Sequence, residues 1–148
     1  MPGIYSYNSP HKLFEKLKRD FIEFFNNPSE DGLLTVLFSL YHLREWICPG
    51  KEIYKSIALK SEADRTSEER LYMNMYSMPE YKIVCSLCNH AKHFKNKGLD
   101  GRTDALHGAR AGMARAGDSL GITHFTVDGI EVRDIFCTVY KKYLEYFE

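Results

Sequence analysis

The sequence predicts a mainly α protein, a bundle of about five helices with a β-hairpin ahead of the last one. Three observations carry that expectation. Apolar residues recur at three- and four-residue steps over most of the 148 residues, the spacing that lines one face of a helix. Proline, glycine and asparagine punctuate those runs where helices stop. One stretch alternates residue by residue instead, and it is centred on Asp128-Gly129, a dipeptide suited to a two-residue hairpin turn.

The first helix starts after Asn8 or Ser9, with Pro10 in its first turn, where a missing N–H costs nothing. Leu13, Leu17, Phe21 and Phe25 recur every four residues beside Phe14 and Phe24, until Asn26, Asn27 and Pro28 end the run. Ser29 caps a second helix, with Glu30 and Asp31 facing its dipole. That helix runs to about Ile47 and is apolar around much of its circumference, so it belongs at the centre of the bundle. Cys48, Pro49 and Gly50 close it, and a short helix follows over Lys51 to Leu59.

The polar stretch Lys60 to Arg70 reads as a loop leading into a helical segment, Glu68 to Tyr76. The acid pairs Glu30-Asp31 and Glu68-Glu69 read as solvent-facing helix starts. Pro79 opens another helix, Glu80 to about Phe94. Five of the ten glycines then fall between Gly101 and Gly121, so residues 99–121 are expected to be mobile or irregular despite their alanines. The hairpin ITHFTV-DG-IEV comes next, and Asp134 is placed to cap a final helix with Ile135, Phe136, Val139, Tyr140, Leu144 and Phe147 as its packing stripe.

Length and composition fit one domain, 1–148, around one core. Twenty basic residues balance twenty acidic ones, so contact with nucleic acid or an acidic surface must come from a local patch. The start MPGIYSYNSPHKLFEK lacks the basic-then-apolar pattern of a signal peptide, and no apolar run is long enough to cross a bilayer, so no membrane partner is expected. Four cysteines are few for a secreted scaffold and read as reduced thiols of a cytoplasmic protein. The phosphate-loop, nucleophile-elbow, zinc-helix and dinucleotide fingerprints are all missing, and no cofactor is expected.

Reactive side chains are densest in VCSLCNHAKHF, residues 84–94. Cys85, Cys88, His90 and His93 are the ligands a zinc ion would take, but a helix turns His90 away from the thiols and sets Cys85 and His93 more than two turns apart. Buried cysteines also serve as small hydrophobes, and Lys92 and His93 would complement the negative end of a helix. Cys88-Asn89-His90-Ala91-Lys92-His93 resembles the motif of HEPN domains, small helical domains common in prokaryotic toxin–antitoxin and antiphage systems. In that motif an arginine, often followed by asparagine, precedes a histidine near one end of a helix.

The resemblance implies a homodimer whose paired motifs cut RNA without metal. Asn89 matches the polar position and His93 the histidine, whereas Cys88 stands where the family has arginine. His93 would then move protons, Asn89 would position it or the phosphate, and Lys92 would supply charge.

His42, in YHLREWI on the second helix, is a supporting candidate that could approach His93 as an acid–base pair. The same residue also fits a buried histidine held by a carboxylate, with Trp46 in the core. From Lys92 to Arg115 six Lys or Arg face only Asp100 and Asp104. Lys95, Arg102, Arg110 and Arg115 in that run are candidate phosphate contacts of a basic arm. RNA or a phosphorylated ligand is therefore the expected partner. The rival is a non-enzymatic interaction module, a homodimer or member of a defence or regulatory complex, for which the many Tyr and Phe would be suited.

Overall fold

The computed structural model describes residues 3–50, 53–93 and 101–148. Helices α1 (Pro10–Asn26), α2 (Glu30–Ile47), α3 (Ile53–Ala58), α4 (Ser67–Ser77) and α5 (Pro79–Lys92) precede strands β1 (Thr103–His107), β2 (Thr123–Val127) and β3 (Ile130–Glu131), and α6 (Val132–Phe147) ends the chain. The fold is mainly helical with a hairpin before the last helix, as the periodicities predict. No helix among the described residues is long and apolar enough to cross a membrane.

Local chemistry sets the boundaries. Ser9 caps α1 by accepting from the Lys12 N–H, and Ser29 caps α2 by accepting from the Gly32 N–H. Thr66 and Glu69 form a reciprocal capping box at α4, each side chain bonded to the other's backbone N–H. Glu69 is thus not the solvent-facing acid expected: it is buried and also holds Lys60 at 2.9 Å. Between Asp128 and Gly129 the chain turns with φ of 53° and 78°, the left-handed pair that a type I′ turn requires.

Two expectations fail here. Asp134 does not cap α6, because the helix already begins at Val132, with Glu131 at the cap. Asp134 lies in the first turn, where it pairs with Arg115. The stretch expected to be irregular contains β1, which pairs antiparallel with β2 in the register Thr103 opposite Val127 and His107 opposite Thr123. The hairpin strands β2 and β3 are consequently part of a three-stranded sheet in the order β1-β2-β3, with β2 at its centre. Turns closed by backbone hydrogen bonds, such as Ala114 N–H to Arg110 C=O at 2.8 Å, fill much of the connection to β2.

α2 is the central helix, touching α1, α4, α5 and α6. Val36, Leu37, Leu40, Leu43 and Ile47 form its buried face. Aromatic rings join α1 to α6, with Phe14 stacked on Phe147 at 4.4 Å and Phe21 on Tyr140 at 4.3 Å. Two buried phenols tie neighbours to carbonyls of α2: Tyr143 donates to Leu40 C=O at 2.7 Å and Tyr81 to Tyr41 C=O at 3.0 Å. A second apolar cluster of Cys48, Ile57 and Tyr72 packs α3 and α4 under the end of α2.

Candidate functional site

The motif residues occupy the last turns of α5. His93 is its C-cap, with its backbone N–H bonded to Asn89 C=O, so Asn89 and His93 stand one turn apart on one side of the helix. Asn89, Lys92 and His93 are exposed. Cys88 turns inward and is 3% exposed, so this position contributes packing and no cation. Among the described residues, no ion pair joins Lys92 or His93 to a carboxylate, and α5 has no acid after Glu80. Lys95 lies outside the described residues.

The thiols of the zinc alternative pack in the core. Burial pushes Cys85 and Cys88 above the ordinary thiol range, which disfavours the thiolates a zinc ion requires. Among the described residues no three His, Cys, Asp or Glu side chains gather closely enough to share an ion.

His42 does not approach His93. It is exposed, lies 3.4 Å from Glu45, and lines a groove between α1 and α2 with Leu13, Lys16, Phe38 and Trp46. Its neighbour Tyr41, one helical step away, is the residue that meets α5 through Tyr81. No hydrogen bond, ion pair or ring contact joins the two histidines among the described residues. His42 is thus neither half of an acid–base pair with His93 nor the buried histidine weighed beside it, and Trp46 is only half-buried.

The arginines expected to follow a phosphate backbone are largely committed within the chain. Arg102 forks onto Asp128 through Nε at 2.9 Å and Nη2 at 2.6 Å. Arg115 pairs with Asp134 and lies against the Phe25 ring at 4.9 Å. Arg110 is exposed on the connection between β1 and β2. Two of the three thus have carboxylate partners, Asp128 in the β-turn and Asp134 in the first turn of α6, that linear charge counting does not bring near them.

Two constellations arise that the sequence did not single out. In the first, Arg133, 1% exposed, forks onto Asp118 at 2.8 and 2.9 Å, pairs with Glu131 and donates to Phe25 C=O at 3.1 Å. His124, wholly buried, sits 3.4 Å from Glu131 without a hydrogen bond to either ring nitrogen. The Arg133 hydrogen bonds hold the Asp118 carboxyl down at about 2. This knot fastens the β1–β2 connection to α1 and α6, and its burial makes it structural.

The second centres on Arg44. Its guanidinium lies between the rings of Tyr72, at 4.6 Å, and Tyr81, at 4.9 Å. It edges a pocket of about 450 Å³ that Tyr76, Lys82, Cys85 and Ser86 also line. A sequence signal existed: Arg44 follows Leu40 by four residues and precedes Ile47 by three, which places a cation on the buried stripe of α2.

Comparison of the chain with protein-family models, with curated proteins and with solved structures returned no match.

Proposed function

We propose that the chain is a HEPN-like protein that binds RNA or another phosphorylated ligand along the exposed end of α5, with at most weak metal-independent cleavage. The observation that supports this reading is the outward-facing group Asn89, Lys92 and His93, on a helix with no acid from Tyr81 onward. A phosphate backbone would meet hydrogen-bond donors and positive charge there without a competing carboxylate on that helix. In cleavage, His93 would take the 2′-hydroxyl proton as that oxygen attacks phosphorus. The P–O5′ bond breaks, a proton passes to the departing 5′-oxygen, and a cyclic phosphate remains. Lys92 is the cation nearest this chemistry on α5, and a point charge serves the phosphate less well than a guanidinium fork. Binding is accordingly the stronger expectation.

Labelled single-stranded RNA titrated in a fluorescence-anisotropy experiment tests it. Lys92→Gln is expected to weaken binding about three- to tenfold and to reduce the salt slope by about 1. Any cleavage by the wild type should survive a chelator and disappear in His93→Ala. Absence of RNA binding by the folded wild type at low salt would sink the proposal.

A second reading, a homodimer, rests on a different face. Leu34 and Phe38 of α2 remain 40% and 39% exposed beside the groove that His42 and Trp46 line. Lys16–Asp20 and His42–Glu45 place both signs of charge at the same face, as a self-complementary twofold contact requires. The occupant proposed is a second copy of the chain. Phe38→Glu should convert a dimer to a monomer in light scattering coupled to size exclusion. A monomeric wild type at high concentration would rule the dimer out.

A further inference from the structure

The Arg44 pocket holds a cation in an unusual state. The Nε of Arg44 is buried and has no hydrogen-bond partner. Its electrostatic neighbours are the phenols of Tyr81, Tyr72 and Tyr143 and the Cys85 thiol, with no carboxylate among them. Two ring faces therefore carry the guanidinium, and an aromatic face offsets only part of what a cation loses on leaving water. Arg133, the fully buried arginine, illustrates the contrast, since the carboxylates of Asp118 and Glu131 pair with it.

We infer that this pocket is a binding site for a phosphate monoester carried on a flat group, the chemistry of a nucleoside monophosphate. Four observations lead to that class of ligand. The volume, about 450 Å³, falls within the range of small-molecule sites. Arg44 and Lys82 both line the pocket, and two cations suit a phosphate monoester, with a charge near −2, better than a carboxylate. Ser86 adds a hydroxyl, while Cys85, held neutral by burial, adds no opposing charge. Tyr76, 44% exposed and stacked on Tyr54 at 4.0 Å, adds an aromatic wall for a flat group. Tyr54, Tyr76, Tyr72, Arg44 and Tyr81 thus form one continuous stack of rings and guanidinium.

The pocket and the motif share a face of α5. Lys82, Ser86, Asn89 and His93 follow one another at four-, three- and four-residue steps, and the stripe is about 16 Å long. The monoester could therefore be a free mononucleotide or the 5′ end of an RNA whose body runs towards His93. The site does not depend on RNA binding by the α5 terminus, and two ligand series separate the sources.

Calorimetric titration with nucleoside 5′-monophosphates and the parent nucleosides is the first arm. Anisotropy with 5′-phosphorylated and 5′-hydroxyl oligoribonucleotides is the second. Wild type should bind a monophosphate at least tenfold more tightly than its nucleoside. Arg44→Gln should lose that preference, and Arg44→Lys should recover little of it because the fork is gone. Lys82 is exposed, so Lys82→Gln keeps the fold and should raise the monophosphate Kd at least threefold even if the Arg44 variants do not fold. A folded wild type that binds neither monophosphates nor 5′-phosphorylated RNA overturns the site, as does an unchanged Kd in Lys82→Gln. RNA binding that ignores the 5′-phosphate but falls in Lys92→Gln leaves the α5 proposal standing and removes this one. Monophosphate binding without RNA binding does the reverse.

Discussion

Replacing Arg133 with methionine should destabilise the protein by about 3–5 kcal/mol, because two carboxylates are left buried without their cation. Asp118 and Glu131 are 7% and 3% exposed at the side chain and both depend on the same guanidinium. Phe25 C=O loses a donor as well. Removing the acids' charge together with the arginine, as Arg133→Met with Asp118→Asn and Glu131→Gln, should recover a large part of the loss, since the penalty lies in the orphaned charges. Chemical denaturation of the wild type and these two variants checks this, and equal stability of the single and triple variants would refute it. Acid gives a second view of the same knot. The folded Asp118 carboxyl is held below its unfolded value of 3.8, down to about 2. Its contribution is therefore complete above pH 4 and is lost as pH falls through 2. Wild type should lose stability across that window more steeply than Asp118→Asn.

The helices were legible because their signals are local. Ser9-Pro10 and Ser29-Glu30-Asp31 each hold a cap within a few residues, and the structure begins α1 and α2 at Pro10 and Glu30. Asp128-Gly129 likewise carries its turn in two residues. β1 was not legible, because Thr103–His107 has little intrinsic strand character and is a strand through its pairing with β2. The same distinction governs the sites. Asn89, Lys92 and His93 lie within one helical turn, so their common exposure at the end of α5 could be anticipated. The Arg133 knot draws on residues 25, 118, 124, 131 and 133, and no linear pattern relates Asp118 to Phe25. Arg102 and Arg115 looked like a basic arm for the same reason, their carboxylate partners being 26 and 19 residues away.

Tyr143→Ala should cost about 3–5 kcal/mol, whereas Tyr143→Phe should cost only about 1 kcal/mol. The ring is wholly buried between α6 and α2, so truncation opens a cavity in the main core. The hydroxyl adds one bond, to Leu40 C=O at 2.7 Å, and burial keeps the phenol protonated well above its ordinary range. In a chain of this length the alanine variant should melt roughly 10 °C lower and the phenylalanine variant a few degrees lower. Near-equal melting temperatures for the two variants would overturn this division between packing and hydrogen bonding. The pair also separates stability from ligand binding. Tyr143 neighbours Arg44 but does not line its pocket. Tyr143→Phe should therefore bind a nucleoside monophosphate within about twofold of wild type. A larger loss would mean that the position of α6, rather than the Tyr72–Arg44–Tyr81 stack, holds the guanidinium in place.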